Sequence, residues 1–242
     1  MDLSIGTWMS LPNESIAEIF AKTGYEWVVI DLEHSAISIN QAESLIRIVD
    51  LAGSKPLVRL SGHSCSQIKR VLDSGAAGII APMVNTFEEG KEILQSCFYP
   101  PIGSRGMGLA RAQGYGAPEI REKYLNDDSN NIEIYFQIES NKAIENIDKI
   151  FSLPITGYFI GPYDLSASLG DPGNFSSDVF IEAEKKIMLE AEKYSLQKGY
   201  HLVEPNFEDL KILKNRGYNK IAFSVDIRMI EFISKLPFTN II

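Results

Sequence analysis

Two kinds of segment alternate along this chain. Short runs rich in Val, Ile, Phe and Tyr have the composition of buried strands, and eight of them occur in the order LSIGTWM, WVVIDL, PLVRL, GIIAPMV, IEIYFQIE, ITGYFIGP, YHLVEP and KIAFSVD. Between them lie longer stretches with apolar residues at helical spacing, such as SIAEIFAKTG and FIEAEKKIMLEAEKYSLQKG. Strict alternation with near-continuous apolar strands is typical of a parallel sheet covered by helices.

The number of these units favours a closed barrel. Eight strand-and-helix units in 242 residues fit a (β/α)₈ TIM barrel better than an open, doubly wound sheet. A dinucleotide-binding sheet would also carry Gly-x-Gly-x-x-Gly after an early strand, whereas TWMSLPNES follows the first strand here. We therefore expect one barrel domain over residues 1–242. Five glycines are expected to end its helices: Gly24, Gly53, Gly75, Gly199 and Gly217.

Charge and cysteine content exclude several classes of partner. A net charge of −9 argues against nucleic acid, because a phosphate-binding surface needs clustered Lys and Arg. Cys65 and Cys97 are the only cysteines, too few for a disulfide framework or a Cys-rich zinc site. A cytoplasmic location is the expectation. The first residues show no secretory pattern, and no apolar run approaches the length of a membrane span, so no membrane partner is expected.

Polar residues are concentrated where the predicted strands end. The active site of a TIM barrel lies at the carboxyl ends of its strands, so these residues are expected to converge on one rim. They are Asp31, Glu33 and His34 after strand 2, Arg59 in strand 3, Gln137 and Glu139 in strand 5, and Asp164 after strand 6.

Glu139 and Asp164 follow consecutive strands and should be neighbours. Two adjacent carboxylates either repel each other, which raises one pKa, or share a cation. An all-oxygen ligand set suits Mg²⁺ or Mn²⁺. Two alternatives stay open at this point: one carboxylate forms an ion pair with Arg59, or one caps a helix.

His34 is the best candidate for a general base, because an imidazole titrates near neutral pH. Asp31 leaves the same strand and is expected to orient the His34 ring. His201 lies inside strand 7 and is expected to be packed there. His63 follows strand 3 without an acidic neighbour in sequence and is at most a substrate contact.

Two further features bear on the substrate. Gly161 and Pro162 form a turn before a short helix, whose N-terminus suits a substrate carboxylate, although a plain connecting turn would have the same sequence. A Schiff-base aldolase needs a lysine at a strand exit, but Lys55 and Lys220 precede strands 3 and 8. An enolate formed here would therefore need a metal for its stabilisation.

Six stretches, in order, resemble the HpcH/HpaI aldolase family. They are DLEH at 31–34, VRL at 58–60, APMV at 81–84, YPPIGSRG at 99–106, QIES at 137–140 and GPYDLS at 161–166. The resemblance implies a barrel of the phosphoenolpyruvate/pyruvate type. It also implies a class II pyruvate aldolase that uses Mg²⁺, Mn²⁺ or Co²⁺ and cleaves a 4-hydroxy-2-oxo acid, either a 2-keto-3-deoxy sugar acid or a hydroxy-oxo diacid, to pyruvate and an aldehyde.

The resemblance also implies a role for each matching residue. Glu139 and Asp164 match metal ligands, and His34 matches the catalytic base with Asp31 as its partner. Arg59 matches the residue that contacts the pyruvate oxygen, and Gln137 lies beside the metal and pyruvate. The substrate carboxylate is expected at Gly161, Pro162, Tyr163 and Asp164, chiefly on the backbone of the last two.

Three points remain open in the sequence. The Gly-rich stretch 100–116 follows helix 4, so the alternation of strands and helices places it away from the active face. It either reaches a neighbouring subunit or is a plain loop. The first alternative follows from the resemblance, since the family forms homo-oligomers such as hexamers or trimers of dimers. A related lyase acting on an acyl-CoA ester or by decarboxylation is the alternative function, although the acidic balance gives little support to a CoA site. A non-catalytic barrel is disfavoured by the presence of His34, Arg59, Glu139 and Asp164.

Overall fold

The structure is a computed structural model that describes residues 2–239. Eight parallel strands pair in chain order, and β8 closes the barrel by pairing with β1. The (β/α)₈ barrel expected from the alternating pattern is confirmed. The strands are β1 Ser4–Met9, β2 Trp27–Asp31, β3 Lys55–Arg59, β4 Gly78–Ala81, β5 Glu133–Ile138, β6 Gly157–Ile160, β7 Gln197–Leu202 and β8 Lys220–Val225.

Eleven α-helices occur within residues 2–239, more than the eight units alone require. The extra ones are α5, which follows the Gly-rich stretch, the short α8, and the pair α6 and α7, into which one predicted helix divides. The helices are α1 Glu14–Lys22, α2 Ile39–Leu51, α3 Cys65–Asp73, α4 Phe87–Cys97, α5 Pro118–Asn126, α6 Asn141–Glu145, α7 Ile147–Phe151, α8 Pro162–Ser168, α9 Asp178–Lys193, α10 Phe207–Asn215 and α11 Asp226–Thr239. None of the helices in this part of the chain is both long and apolar enough to cross a membrane.

Four of the five glycines expected at helix ends adopt positive φ, as a C′ glycine does. Gly199 is the exception, because it lies inside β7. A Cβ on Gly199 would lie 2.8 Å from Phe159 Cγ, so the absent side chain makes room for that ring in the barrel. Ser195 instead takes the left-handed conformation after α9, with φ 54°.

The barrel interior is filled by side chains and is not a pore. Its apolar filling consists of Trp8, Trp27, Val29, Leu57, Ile80, Tyr135, Phe159, Ala222 and Val225. A second and larger core lies between the sheet and the surrounding helices. The rigid barrel therefore holds whatever side chains project from the carboxyl ends of its strands.

The two lysines that the sequence places before strands 3 and 8 lie at the amino end of the barrel. Lys55 Nζ is 2.5 Å from Glu133 Oε1, and the buried Lys220 Nζ is 3.1 Å from Glu133 Oε2. Each lysine is the first residue of its strand. They are therefore remote from the carboxyl rim, as the sequence predicts.

The Gly-rich stretch 100–116 packs at the same amino end. The buried Arg105 donates to Asp73 Oδ1 at 2.6 Å, and Arg111 forms an ion pair with Asp50. Asp73 and Asp50 lie in the last turns of α3 and α2, opposite the rim where the strands end. Its predicted position away from the active face is confirmed, and its reach towards a neighbouring subunit stays a prediction.

Candidate active site

Four side chains form the uppermost layer of the barrel interior. In a TIM barrel each interior layer takes one residue from alternate strands. The observed strand registers, advanced by two residues at every second strand, place Trp8 of β1, Arg59 of β3, Gln137 of β5 and His201 of β7 at one level. The sequence had indicated two of the four, Arg59 and Gln137.

A cleft of about 390 Å³ opens above this layer. Its walls include the four layer residues, His34 from the loop after β2, and the turn at residues 161–164. The predicted convergence of distant strand exits on one rim is therefore what the structure shows. Glu139 is only 2% exposed and lies at the rim beside Gln137, behind the residues that line the cleft.

Arg59 is held in place by two carboxylates. Its Nε and Nη2 donate to the Asp31 oxygens at 2.9 and 2.5 Å, and its Nη1 is 3.2 Å from Glu33 Oε2. Burial alone would raise the pKa of Asp31, but the hydrogen bonds and charge of Arg59 outweigh burial and lower it. The guanidinium also lies 5.1 Å from the centroid of the Trp8 ring. Asp31 therefore remains ionised and fixes the orientation of Arg59.

This pairing corrects the predicted role of Asp31 towards His34. The Asp31 carboxylate accepts hydrogen bonds from the backbone N–H groups of Glu33 and His34, at 2.9 and 3.3 Å, and none from the His34 imidazole. Because Arg59 occupies both oxygens, the carboxylate orients Arg59 and not the histidine ring. The neighbour of His34 Nε2 is Glu33 Oε2, 3.9 Å away, and the imidazole is about two-thirds exposed on the cleft wall.

Glu139 is a buried carboxyl with an unusual environment. Its Oε1 accepts from the Met83 backbone N–H at 2.6 Å, and its Oε2 accepts from Gln137 Nε2. Met83 has φ 50°, a strained conformation for a residue with a side chain. Burial raises the pKa of Glu139 to about 7, and the charges of Glu33 and Asp164 add to the effect. Burial and neighbouring negative charge therefore both disfavour the ionised form of Glu139.

The sequence left two alternatives for Glu139 and Asp164, an ion pair with Arg59 and a position at the start of a helix. Neither Glu139 nor Asp164 forms an ion pair with Arg59, whose partners are Asp31 and Glu33. Asp164 does lie in the first turn of α8, where a carboxylate is favourable. Both residues adjoin the turn at Gly161, since a Cβ on Gly161 would overlap Glu139 Oε2 and Asp164 lies in the helix that begins at Pro162.

Two details beside Glu139 concern Gln137 and Gly161. Gln137 Oε1 is buried and has no hydrogen-bond partner among the described residues. Gly161 follows β6, and a Cβ there would overlap Glu139 Oε2 and lie 2.9 Å from Gln137 Nε2. The absence of a side chain at 161 therefore lets Glu139 and Gln137 pack directly against this turn.

The oxygen donors here suit a hard divalent cation. Residues 2–239 contain no group of three or more His, Cys, Asp and Glu arranged as metal ligands. Mg²⁺ commonly binds through one or two carboxylates and keeps its remaining positions for water and substrate oxygens. Glu139 and Asp164 match that smaller ligand set.

The substrate-carboxylate expectation concerns the start of α8. Gly161 occupies the N-cap position and provides no side-chain hydrogen bond to the first turn, and Pro162 follows it. Tyr163 is exposed and, like Pro162 and Asp164, lines the cleft. The backbone of residues 163 and 164 as a carboxylate site stays a prediction.

Sequence reasoning missed three residues of the site. Trp8 and His201 stack at 4.3 Å between ring centroids, with 10° between their planes. His201, expected to be packed inside strand 7, is half-buried and lines the cleft. Glu33 is the third: the sequence indicates its place at the strand exit but not its ion pair with Arg59. The alternation of side chains along a strand shows which residues of strands 1 and 7 share a face with Trp8 and with His201. Only the strand registers show that both residues point into the barrel and lie at the same level.

His63 does not line this cleft. Its Nε2 lies 2.6 Å from the Pro82 carbonyl oxygen, so it connects the loops after β3 and β4. His63, for which the sequence allowed at most a substrate contact, instead links two loops of the rim.

Comparison with known proteins identifies the family. Residues 4–231 match the family described as HpcH/HpaI aldolase/citrate lyase. A 2-keto-3-deoxy-L-rhamnonate aldolase of Klebsiella pneumoniae is 40% identical over 174 residues, which are 71% of this chain and 64% of that protein. The chain spans about 64–65% of the length of the first curated relatives that it matches.

Solved structures agree along nearly the whole chain. A crystal structure of an HpcH/HpaI aldolase/citrate lyase family protein from Burkholderia cenocepacia has a TM-score of 0.92 and 25% identity, covering 99% of this chain and 95% of that one. The HpcH/HpaI aldolase of Desulfitobacterium hafniense has a TM-score of 0.91 and 27% identity, covering 99% and 93%. The chain belongs to the HpcH/HpaI aldolase/citrate lyase family.

Proposed function

We propose that this protein is a metal-dependent class II pyruvate aldolase, a carbon–carbon lyase. It cleaves a 4-hydroxy-2-oxo acid, a 2-keto-3-deoxy sugar acid or a hydroxy-oxo diacid, reversibly to pyruvate and an aldehyde. The observation that carries the proposal is the convergence of His34, Arg59, Gln137 and Asp164 on one cleft, with Glu139 bonded to Gln137. Family membership and the name of the Klebsiella relative support it.

Glu139 and Asp164 are the proposed ligands of Mg²⁺, Mn²⁺ or Co²⁺. Their oxygens are hard donors. The pKa of Glu139 is raised chiefly by burial and then by the charges of Glu33 and Asp164, and a bound cation would favour the ionised carboxylate. When bound, a divalent cation supplies Lewis-acid polarisation of the 2-oxo carbonyl. Gln137 donates a hydrogen bond from its Nε2 to Glu139 Oε2. Its Oε1, which has no partner among the described residues, can accept a hydrogen bond from a ligand.

Arg59 provides a fixed positive charge in the cleft. Cleavage of the C3–C4 bond leaves an electron pair on C3 that delocalises onto the 2-oxo oxygen. A preorganised cation beside that oxygen stabilises the developing charge without having to reorient. The hydrogen bonds that Arg59 donates to Asp31 and its ion pair with Glu33 supply this preorganisation.

His34 is the proposed general base. It accepts the proton of the C4 hydroxyl, the C3–C4 bond breaks, the aldehyde carbonyl forms at C4, and C3 is then protonated to give pyruvate. In the reverse direction C3 loses a proton, attacks the aldehyde carbon, and the new alkoxide is protonated. The exposed position of the imidazole on the cleft wall permits exchange of the proton with solvent.

Pyruvate release tests this function. The purified protein is incubated with Mg²⁺ or Mn²⁺ and a panel of 2-keto-3-deoxy sugar acids and hydroxy-oxo diacids, and pyruvate is measured through lactate dehydrogenase. We expect at least one substrate to be cleaved, and activity to be lost with a chelator and in Glu139→Gln. Glu208→Gln, at an exposed position of α10, is the matched control and should keep wild-type activity.

Two results would overturn the proposal. Cleavage that persists both with the chelator and in Glu139→Gln would exclude the metal mechanism. Cleavage of acyl-CoA esters or decarboxylation of oxo acids, without any retro-aldol product, would favour the related lyase reaction on the same site.

We also propose that the protein is a homo-oligomer, as a hexamer or trimer of dimers. Helix α11 supports this, because it exposes several large apolar side chains in the described structure: Ile227, Ile230, Phe232, Ile233 and Phe238. Exposed apolar patches of this kind mark interaction sites. Light scattering coupled to size exclusion should give a multiple of the 27.0 kDa chain mass, which Ile233→Glu should reduce; a monomeric wild type would contradict the proposal. A cytoplasmic location also stays a prediction.

A further inference from the structure

His201 has a position that the reaction proposed above leaves without a role. It is the fourth member of the uppermost barrel layer, at the same level as Arg59 and Gln137. It also lines two cavities, the cleft and a neighbouring cavity of about 280 Å³. The two cavities share Pro162, Tyr163, His201 and Val203, so His201 lies where one passes into the other.

Hydrogen bonding fixes which nitrogen of the ring can contact a ligand. His201 Nε2 is 3.2 Å from the backbone carbonyl oxygen of Ser224. A carbonyl oxygen only accepts, so Nε2 carries the proton and Nδ1 keeps its lone pair. Ser224 is itself held, because its Oγ donates to the Val203 carbonyl at 2.8 Å. Nδ1 makes no hydrogen bond to any residue in the described part of the chain.

Two other features keep this imidazole in one orientation and one charge state. The Trp8 ring stacks on it at 4.3 Å. Burial and, after it, the positive charge of Arg59 lower the pKa of His201 to about 4. At neutral pH the ring is therefore a rigid, uncharged hydrogen-bond acceptor beside the cleft.

We propose that His201 is a specificity-determining residue, whose Nδ1 accepts a hydrogen bond from a hydroxyl group on the non-pyruvyl half of the substrate. The inference rests on the proposed aldolase function and names the class of aldehyde that it takes. A hydroxyaldehyde satisfies Nδ1, whereas the corresponding deoxy aldehyde leaves that acceptor without a partner in a partly desolvated site. A site built to bind a hydroxyl group rejects the analogue that lacks it for this reason.

The direction of the neighbouring cavity agrees with this role. The second cavity is lined partly by aromatic and aliphatic side chains and partly by Glu204, Asp209 and Arg216. A substrate whose pyruvyl end lies between Arg59 and Asp164 and whose other end extends into this cavity passes His201. Polar groups at both places suit a polyhydroxylated chain better than a plain alkyl chain.

The test compares two aldehydes that differ by one hydroxyl group. Addition of pyruvate to lactaldehyde and to propanal is measured for the wild type and for His201→Leu, His201→Phe and His201→Gln. The quantity of interest is the kcat/KM for lactaldehyde divided by that for propanal, because intrinsic differences in aldehyde reactivity cancel when variants are compared. We expect the ratio to fall about tenfold in the Leu and Phe variants and to recover in part in the Gln variant, which retains an acceptor.

A matched histidine provides the control. His63 also has its Nε2 against a backbone carbonyl, that of Pro82, but it does not line the cleft. The aldehyde ratio of His63→Leu should equal that of the wild type, even if its rates fall. The Phe variant keeps a planar ring against Trp8, so a loss of stacking alone cannot produce the change in ratio that we expect.

The outcomes separate this inference from the proposed function. The pyruvyl half of the reaction can be measured without any aldehyde. The protein is incubated with pyruvate in D₂O and a Mg²⁺ buffer that contains no Mn²⁺, and NMR follows the exchange of the pyruvate C3 protons for deuterium. If the wild type fails to exchange these protons and to add either aldehyde, the aldolase proposal fails and takes the inference with it. If exchange occurs but the wild type shows no preference for lactaldehyde, or the Leu and Phe variants slow both aldehydes equally, only the role of His201 is overturned.

Discussion

Gly161→Ala is a small substitution for which the structure predicts a large functional effect. Gly161 has φ −93° and ψ 89°, a backbone conformation that alanine can adopt, so the backbone itself introduces no strain. The new Cβ would overlap Glu139 Oε2 and lie 3.0 Å from Glu139 Cβ. The consequence therefore falls on the side chain that we propose as a metal ligand.

The size of the effect follows from these distances. Non-bonded carbon atoms are most favourably separated by roughly 3.5–4.0 Å. The Glu139 side chain must therefore move by about 0.5–1 Å. A displacement near 1 Å in a catalytic constellation costs about 10²-fold in rate. We expect kcat/KM to fall by about that factor, and overpacking in the buried corner to cost about 1–3 kcal/mol of unfolding free energy.

Pyruvate release and Mn²⁺ binding measured by electron paramagnetic resonance are the assays. Gly106→Ala is the matched control, because a Cβ there would meet nothing closer than Lys69 Cδ at 3.8 Å. That variant should retain wild-type activity and Mn²⁺ affinity. If Gly161→Ala binds Mn²⁺ and cleaves substrate as the wild type does, Glu139 is not a ligand in the geometry described above.

Three further predictions concern the rim and the amino end of the barrel. Arg59→Lys cannot reproduce the two hydrogen bonds to Asp31, so we expect kcat/KM to fall about 10²-fold; a nearly unchanged value in steady-state kinetics would contradict the role of Arg59. Lys220→Met removes a buried partner of Glu133 at the opposite end, so the free energy of unfolding in urea should fall by about 2–3 kcal/mol while kcat/KM is retained; loss of activity without loss of stability would show that this lysine takes part in catalysis. His201 takes up its proton near pH 4 in the folded state and near its ordinary pKa of about 6.5 when unfolded, so the unfolded state binds more protons between these values. As pH falls through that window, His201 should therefore lower the free energy of unfolding by about 1 kcal/mol per pH unit. Urea unfolding of His201→Gln should show a correspondingly smaller dependence of this free energy on pH. An equal pH dependence in the two proteins would refute the neutral state of the ring.

The site illustrates how far strand-exit reasoning can go. His34, Arg59, Gln137, Glu139 and Asp164 were predicted to converge because every parallel strand of a barrel ends at the same rim, and they do. The same reasoning places a residue at the rim without saying which way its side chain points.

The partner of Asp31 shows where that reasoning ended. Asp31 and His34 are three residues apart, which suggested a carboxylate–imidazole pair. In the structure Asp31 is paired in register with Arg59 on the next strand, and a bidentate guanidinium is a stronger partner for a buried carboxylate than an exposed imidazole. Proximity along the chain was outweighed by proximity across the sheet.

The architecture and most of the reactive groups could be predicted from local sequence patterns alone. Strand and helix periodicity, glycines at helix ends and polar residues at strand exits are local patterns, and each depends only on near neighbours in the chain. Which of these groups meet depends on the tertiary structure. The registers around the closed barrel brought Trp8 and His201 level with Arg59, and Gly161, without a Cβ, lets the Glu139 side chain pack against the turn after β6. These are contacts between strands far apart in sequence, set by the shear of the closed sheet and by close packing, which no local pattern encodes.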